Sequence, residues 1–165
     1  ADYMKFMEDL IDNGHAERVP EQELKTDGWY IPHHGVYHPH KPNKLRVVFD
    51  CSAEYAGKSL NKQLLQGPDQ MNSLPGVLCR FRKEKYAFAC DIEGMFHQVT
   101  VRKQDRNYLR FLWSPRADLS SEPHEYRMTV HLFGATSSPG CAMYALKATA
   151  DKFQEEATTL IHDRI

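Results

Sequence analysis

Five consecutive residues, Tyr86-Ala87-Phe88-Ala89-Cys90, are apolar without alternation and end in the carboxylate of Asp91. A half-buried strand alternates apolar and polar residues, so an unbroken apolar run of this length predicts a strand covered on both faces. Such a strand needs packed elements on either side. The surrounding pattern supplies them, and the chain is expected to be α+β.

Tyr3, Phe6, Met7, Leu10 and Ile11 fall at helical spacing before Asn13-Gly14, which predicts an opening amphipathic helix of about three turns. Trp29-Tyr30-Ile31, Val36-Tyr37 and Leu45 to Phe49 are short β-favouring runs separated by Pro, Gly and Asn, and they predict a hairpin with a basic tip over 39–44. Leu74, Val77, Leu78 and Phe81 form a second helical stripe. Tyr108 to Trp113 and Glu125 to Val130 read as strands joined by a polar loop with Pro115 and Pro123. Ser138-Pro139 opens a long helix through about Lys152, with Ser138 as N-cap and Pro139 at the first position.

The 165 residues, 41% of them hydrophobic, suffice for one core, so a single domain or a piece of a larger one is expected. A formal charge of -1 excludes a whole-chain basic footprint, and any nucleic-acid contact has to use local patches. Cys51, Cys79, Cys90 and Cys141 form no CxxC pair, which reads as reduced thiols of an intracellular protein, with Cys90 and Cys141 expected in the core. No apolar run reaches the roughly 18 residues of a membrane span, and Ala1-Asp2-Tyr3 does not resemble a signal peptide. No membrane association is expected.

Three segments carry chemistry. The first is Ala89 to Val99, where the strand delivers Asp91, and a small residue and the aromatic Phe96 follow. By itself an Asp at a strand end is an ordinary cap or turn residue. The second is Leu45-Arg46-Val47-Val48-Phe49-Asp50, a strand with a fixed cation and with Lys41 and Lys44 nearby. This is either a surface ion pair or a triphosphate clamp, since guanidinium offers forked donors to phosphate and lysine adds point charge. The third is Phe133-Gly134-Ala135-Thr136-Ser137-Ser138-Pro139, a small-residue loop entering a helix, where free N–H groups favour a phosphate or a closely stacked base pair.

In this order, and together with Tyr30-Ile31-Pro32-His33-His34, Leu60-Asn61, Gly67-Pro68, Leu78 to Arg82, Asp105-Arg106 and Glu125-Tyr126-Arg127, the chain resembles the reverse transcriptase of Pao/BEL-type LTR retrotransposons over nearly its whole length. The resemblance implies a right-hand polymerase piece: fingers with a β-hairpin over 1–85, and over 86–165 an incomplete palm with an antiparallel sheet and helices, holding inserted fingers strands at about 105–137. It implies Asp91 as the first catalytic, metal-binding Asp, with the Ile92 carbonyl beside the metal and triphosphate. Phe96 would be the steric gate against a 2′-hydroxyl. Arg46, helped by Lys44 and Lys41, would bind the deoxynucleoside triphosphate. Phe133 stands where many retroviral enzymes carry the Gln of a Leu-Pro-Gln-Gly motif, a variant shared with other LTR lineages; it would line the same pocket, and Gly134, Ser138 and Pro139 would shape the surface for template and nascent base pair.

The implied reaction is RNA-directed DNA synthesis on an RNA or DNA template with primer. It uses two Mg²⁺ ions, or Mn²⁺ in their place, held by hard oxygen ligands about 3.5–4 Å apart. One Asp cannot hold two ions. The family supplies the rest on an aromatic-x-Asp-Asp turn, which is absent here, and Asp163 has no adjacent Asp. The chain is therefore expected to be inactive alone and to depend on the remainder of a polyprotein, in the cytoplasm within a retrotransposon particle and with nuclear access. Its truncated sheet, with an unpaired edge, is expected to dimerise or aggregate.

Two other readings stand beside this one. A non-catalytic nucleic-acid-binding module, degenerate or domesticated, would use Lys41, Lys44, Arg80, Arg82, Lys83 and Lys85 on phosphates, with Trp29, Tyr30 or Tyr37 stacking on bases. A zinc site would use His33, His34, His38 and His40, with no cysteine nearby. Phe111 and Trp113 read as core, and Arg110 as an exposed strand residue.

Overall fold

The computed structural model describes residues 2–38, 41–115, 120 and 122–162, with side chains described for all of these except 38, 41–44 and 155–162. The hairpin tip at Pro39 and His40 and the terminal Asp163 lie outside the described residues, as do the side chains of Lys41 and Lys44.

Helix α1 (Asp2–Asp12) buries Met7 and Leu10 completely or nearly so, as its apolar spacing requires. Strand β1 (Ala16–Arg18) follows, and then the hairpin β2 (His33–His38) and β3 (Lys41–Phe49). The hairpin is antiparallel, with His33 opposite Phe49 and Val36 opposite Arg46. Gly35 admits α1: a Cβ there would come within 3.1 Å of the Tyr3 ring and 2.8 Å of Leu45. Beyond the hairpin lie the short helix α2 (Leu60–Gln63), α3 (Leu74–Phe81), β4 (Arg110–Trp113), β5 (His124–Met128) and α4 (Ser138–His162).

The second sheet has the antiparallel order β1-β5-β4. Its inner face carries Phe111, Trp113, Tyr126 and Met128 against Met7, Leu10, Ile31 and Phe49. Each such large side chain removed from water contributes about 1.5–3 kcal/mol. Among the described residues the chain is thus a mixed α and β fold with two small antiparallel sheets. Among the described residues no helix is long and apolar enough to cross a membrane.

Arg110 is buried, with 1% of its surface exposed, contrary to the expectation of an exposed strand residue. It lies directly opposite Arg127 across β4 and β5, a pairing that destabilises a sheet unless anions intervene. The segment preceding the hairpin provides them. Arg127 donates to Glu17 at 2.8 Å and pairs with Glu23, while Arg110 donates to the Glu23 carbonyl at 2.6 Å, the Thr26 hydroxyl at 2.9 Å and Glu125 at 3.4 Å. Hydrogen bonds from Arg127 and Asn107 hold the Glu23 carboxyl below its ordinary pKa. Gly28 lets this segment close over the sheet, because a Cβ there would meet the Asn107 carbonyl at 2.6 Å.

Two other expectations are corrected. Tyr86 to Cys90 forms no strand: Tyr86 is 81% and Phe88 91% exposed, and no neighbouring strand pairs with them. β-propensity reports packing against neighbours, and among the described residues this segment has none. Cys90 is accordingly exposed and Cys141 only half-buried; the core thiol is Cys51, which burial and then Asp50 push up to a pKa of about 12. Helix α3 forms as expected, yet Leu74, Val77, Leu78 and Phe81 are all exposed. Helix α4 starts at the expected Ser138 and runs past Lys152 to His162.

Candidate functional site

The site is assembled at the base of the β2–β3 hairpin. Strand β3 ends in buried Phe49, and the chain turns through Asp50, whose carboxylate accepts from the Ser52 N–H at 2.9 Å. The Asn61 N–H at the start of α2 then donates to the Cys51 carbonyl at 3.0 Å, which fixes that helix against the hairpin.

Asn61 also holds the loop that follows Leu132. Its amide nitrogen donates to the Gly134 carbonyl and the Ser52 hydroxyl, both at 3.0 Å, and its amide oxygen accepts from the Thr136 N–H at 2.8 Å. Gly134 has φ of +108°, and a Cβ there would approach the Phe49 carbonyl to 3.1 Å, so this position requires glycine. The clamped loop turns Phe133 outward, 77% exposed.

Phe133 meets Phe96. Their ring centroids lie 5.7 Å apart with planes inclined at 59°. Phe96 sits in a 3-10 turn, Met95–Gln98, that begins from Gly94 in the left-handed conformation and is closed by the His97 N–H donating to the Gly94 carbonyl at 2.7 Å. Met95, next to Phe96 in the chain, lines a cleft of about 320 Å³ together with Gly67, Pro68, Thr136, Pro139 and Met143. Pro139 faces this cleft, whereas Ser138 is fully buried and its hydroxyl lies 3.3 Å from His131 Nδ1.

The structure therefore brings Phe96, Phe133, Gly134 and Pro139 to one region, and adds Asn61. The sequence signals Asn61 only through the run Ser59-Leu60-Asn61, which does not reveal the loop that it holds. Arg46 is exposed on β3, and Asp91 and Ile92 are exposed in an extended segment. Neither the Arg46 nor the Asp91 side chain has a hydrogen bond or ion pair among the described residues.

No three His, Cys, Asp or Glu side chains converge on a point among the described residues. Asp91 is one carboxylate, and with the Ile92 carbonyl it does not amount to the donor set for two divalent ions. Of the histidines of the zinc reading, His33 turns inward against Tyr3 and Phe49, with Nε2 2.9 Å from the Leu112 carbonyl, while the His38 side chain and His40 lie outside the described residues.

No protein-family model matches the chain, and no curated protein matches it.

Proposed function

We propose that the chain is the fingers and first part of the palm of a retrotransposon reverse transcriptase, and that the surface around Phe96 and Phe133 receives the sugar and base of a deoxynucleoside triphosphate. The observation that carries this reading is the Phe96–Phe133 contact at 5.7 Å, built on a glycine loop anchored by Asn61 to the end of the strand that bears Arg46. Two aromatic rings in contact offer an apolar surface to a ribose, and a ring beneath the sugar would clash with a 2′-hydroxyl. An unpaired guanidinium on an adjoining strand is suited to phosphate oxygens. In this proposal Asp91 contributes one carboxylate to a Mg²⁺ or Mn²⁺ centre completed by residues elsewhere in a polyprotein, and this chain by itself does not extend a primer.

The test is binding of a labelled primer–template and of dTTP against UTP to the purified chain. Preference for dTTP that shrinks in Phe96→Ala supports the reading. Equal binding of the two nucleotides by the unaltered chain, or none, counts against it. Primer extension that Asp91→Asn abolishes would refute the expected inactivity.

A second reading is favoured by a different surface. Arg80, Arg82, Lys83 and Lys85 are exposed beside exposed Tyr86 and Phe88, with Lys85 Nζ 5.3 Å from the Tyr86 ring centroid. Cations interleaved with free aromatic rings suit single-stranded nucleic acid without catalysis. Salt-dependent binding that is indifferent to Asp91 and Phe96 substitutions and lost with Lys85 and Tyr86 would select this module.

A further inference from the structure

We propose that the chain carries a second ligand site, a cavity of about 560 Å³ between the Lys103–Leu109 turn, α2 and the start of α4, which takes an uncharged, largely apolar small molecule with one hydrogen-bonding group. The two sides of the α4 start face different spaces. Thr136, Pro139 and Met143 line the cleft beside Phe96, whereas Ser137, Ser138 and Cys141 line this cavity. The inference is independent of the polymerase reading.

The size lies within the range of small-molecule sites, roughly 300–1,000 Å³. Leu60, Leu64, Leu109, Leu132 and Ala135 supply apolar wall, and Leu60, Leu132 and Ala135 are buried parts of the fold, so the floor is preformed. The cavity is not an anion site. Three N–H groups around the α4 start are already engaged, Thr136 with Asn61, Ser138 with the Ala135 carbonyl and Cys141 with the Ser137 carbonyl, and Pro139 has none. Arg102 and Asp105, both exposed on its lining, oppose each other in sign.

The polar anchor is His131. Its Nδ1 faces the buried Ser138 hydroxyl at 3.3 Å, and Nε2 makes no hydrogen bond among the described residues. Burial lowers the imidazole pKa and keeps the ring neutral near pH 7. A neutral ring nitrogen in an apolar cavity suits one donor or acceptor on an otherwise apolar ligand.

The probe is N-phenylnaphthylamine, an uncharged amine whose fluorescence rises in apolar surroundings. The expected result is saturable one-site binding. At about ten times the Kd, alkylation of Cys141 by iodoacetamide should slow about tenfold, because only the unoccupied fraction reacts. Exposed Cys79 and Cys90 should alkylate at unchanged rates. Ala135→Trp, which fills the cavity, should abolish the saturable signal; if that variant does not fold, Leu64→Trp replaces it, and the fluorescence of these variants decides the matter if Cys141 proves inert. Cys141 alkylation unchanged at saturating probe overturns the proposal. So does binding that survives both Trp variants and disappears in Leu78→Glu on exposed α3, and so does the absence of saturable binding.

Discussion

Phe96 and Phe133 stack obliquely, ring centroids 5.7 Å apart, although one lies in a 3-10 turn after Asp91 and the other in the loop before α4. The contact forms because the loop is pinned from below by Asn61 and cannot accept a Cβ at Gly134. Two separately read motifs become one surface through that pinning.

Removing the exposed ring should separate function from stability. Phe133 is 77% exposed, so Phe133→Ala should change unfolding free energy by less than about 0.5 kcal/mol, as surface substitutions generally do. The same variant should weaken dTTP binding, as read by equilibrium titration alongside urea unfolding.

Asn61→Ala should do both kinds of damage. It removes three hydrogen bonds and leaves the Thr136 N–H without its partner, at a cost of about 1–3 kcal/mol. Urea denaturation should show a lower midpoint, and nucleotide binding should weaken further than the lost stability accounts for, because the Phe133 loop loses its anchor.

Arg110→Ala should be far more costly than Arg46→Ala. Buried Arg110 ties Glu125 to the Glu23 carbonyl and the Thr26 hydroxyl beside Arg127, and breaking such a buried ionic network costs about 3–5 kcal/mol. Arg46 is exposed and unpaired, so its loss should leave thermal stability unchanged and reduce only triphosphate binding.

Acid should weaken the fold in two stages. Burial lowers the pKa values of His33, His97 and His131, with His15 also disfavouring the charged form of His97. A group whose folded pKa lies below its unfolded value binds protons preferentially when unfolded, so its stabilisation is complete above about pH 6.5 and lost as pH falls through the folded value. Glu23 follows the same sign at lower pH, from about 4.3 downward. Thermal melts should show Tm falling from pH 7 to pH 5, with a shallower slope in His97→Gln, and falling again below pH 4; a pH-independent Tm would contradict this.

Much of the fold was legible because local chemistry decides it. Alternating residues and turn formers specify the hairpin, Ser138-Pro139 specifies the start of α4, and the 3.6 period specifies α1. The burial of Arg110 was not legible, since its partners, the Glu125 carboxylate, the Glu23 carbonyl and the Thr26 hydroxyl, come together only once β4, β5 and the Gly28 segment meet. Tyr86 to Cys90 was misread for a related reason: an apolar run states that a strand can be buried, while pairing depends on a neighbour that the described residues do not supply. Of the candidate site, the types and order of Phe96, Phe133 and Gly134 were readable, but the part played by Asn61 depends on three contacts across the fold.

The most direct test of the polymerase reading is the coding sequence of the transcript downstream of Ile165. The account predicts an aromatic-x-Asp-Asp between two β-favouring runs shortly beyond that point, able to supply the carboxylates that Asp91 lacks and a partner for the unpaired segment at Tyr86 to Cys90. A stop codon, or a continuation without paired acids, would contradict it and leave the basic and aromatic surface at Arg80 to Phe88 as that of a nucleic-acid-binding module.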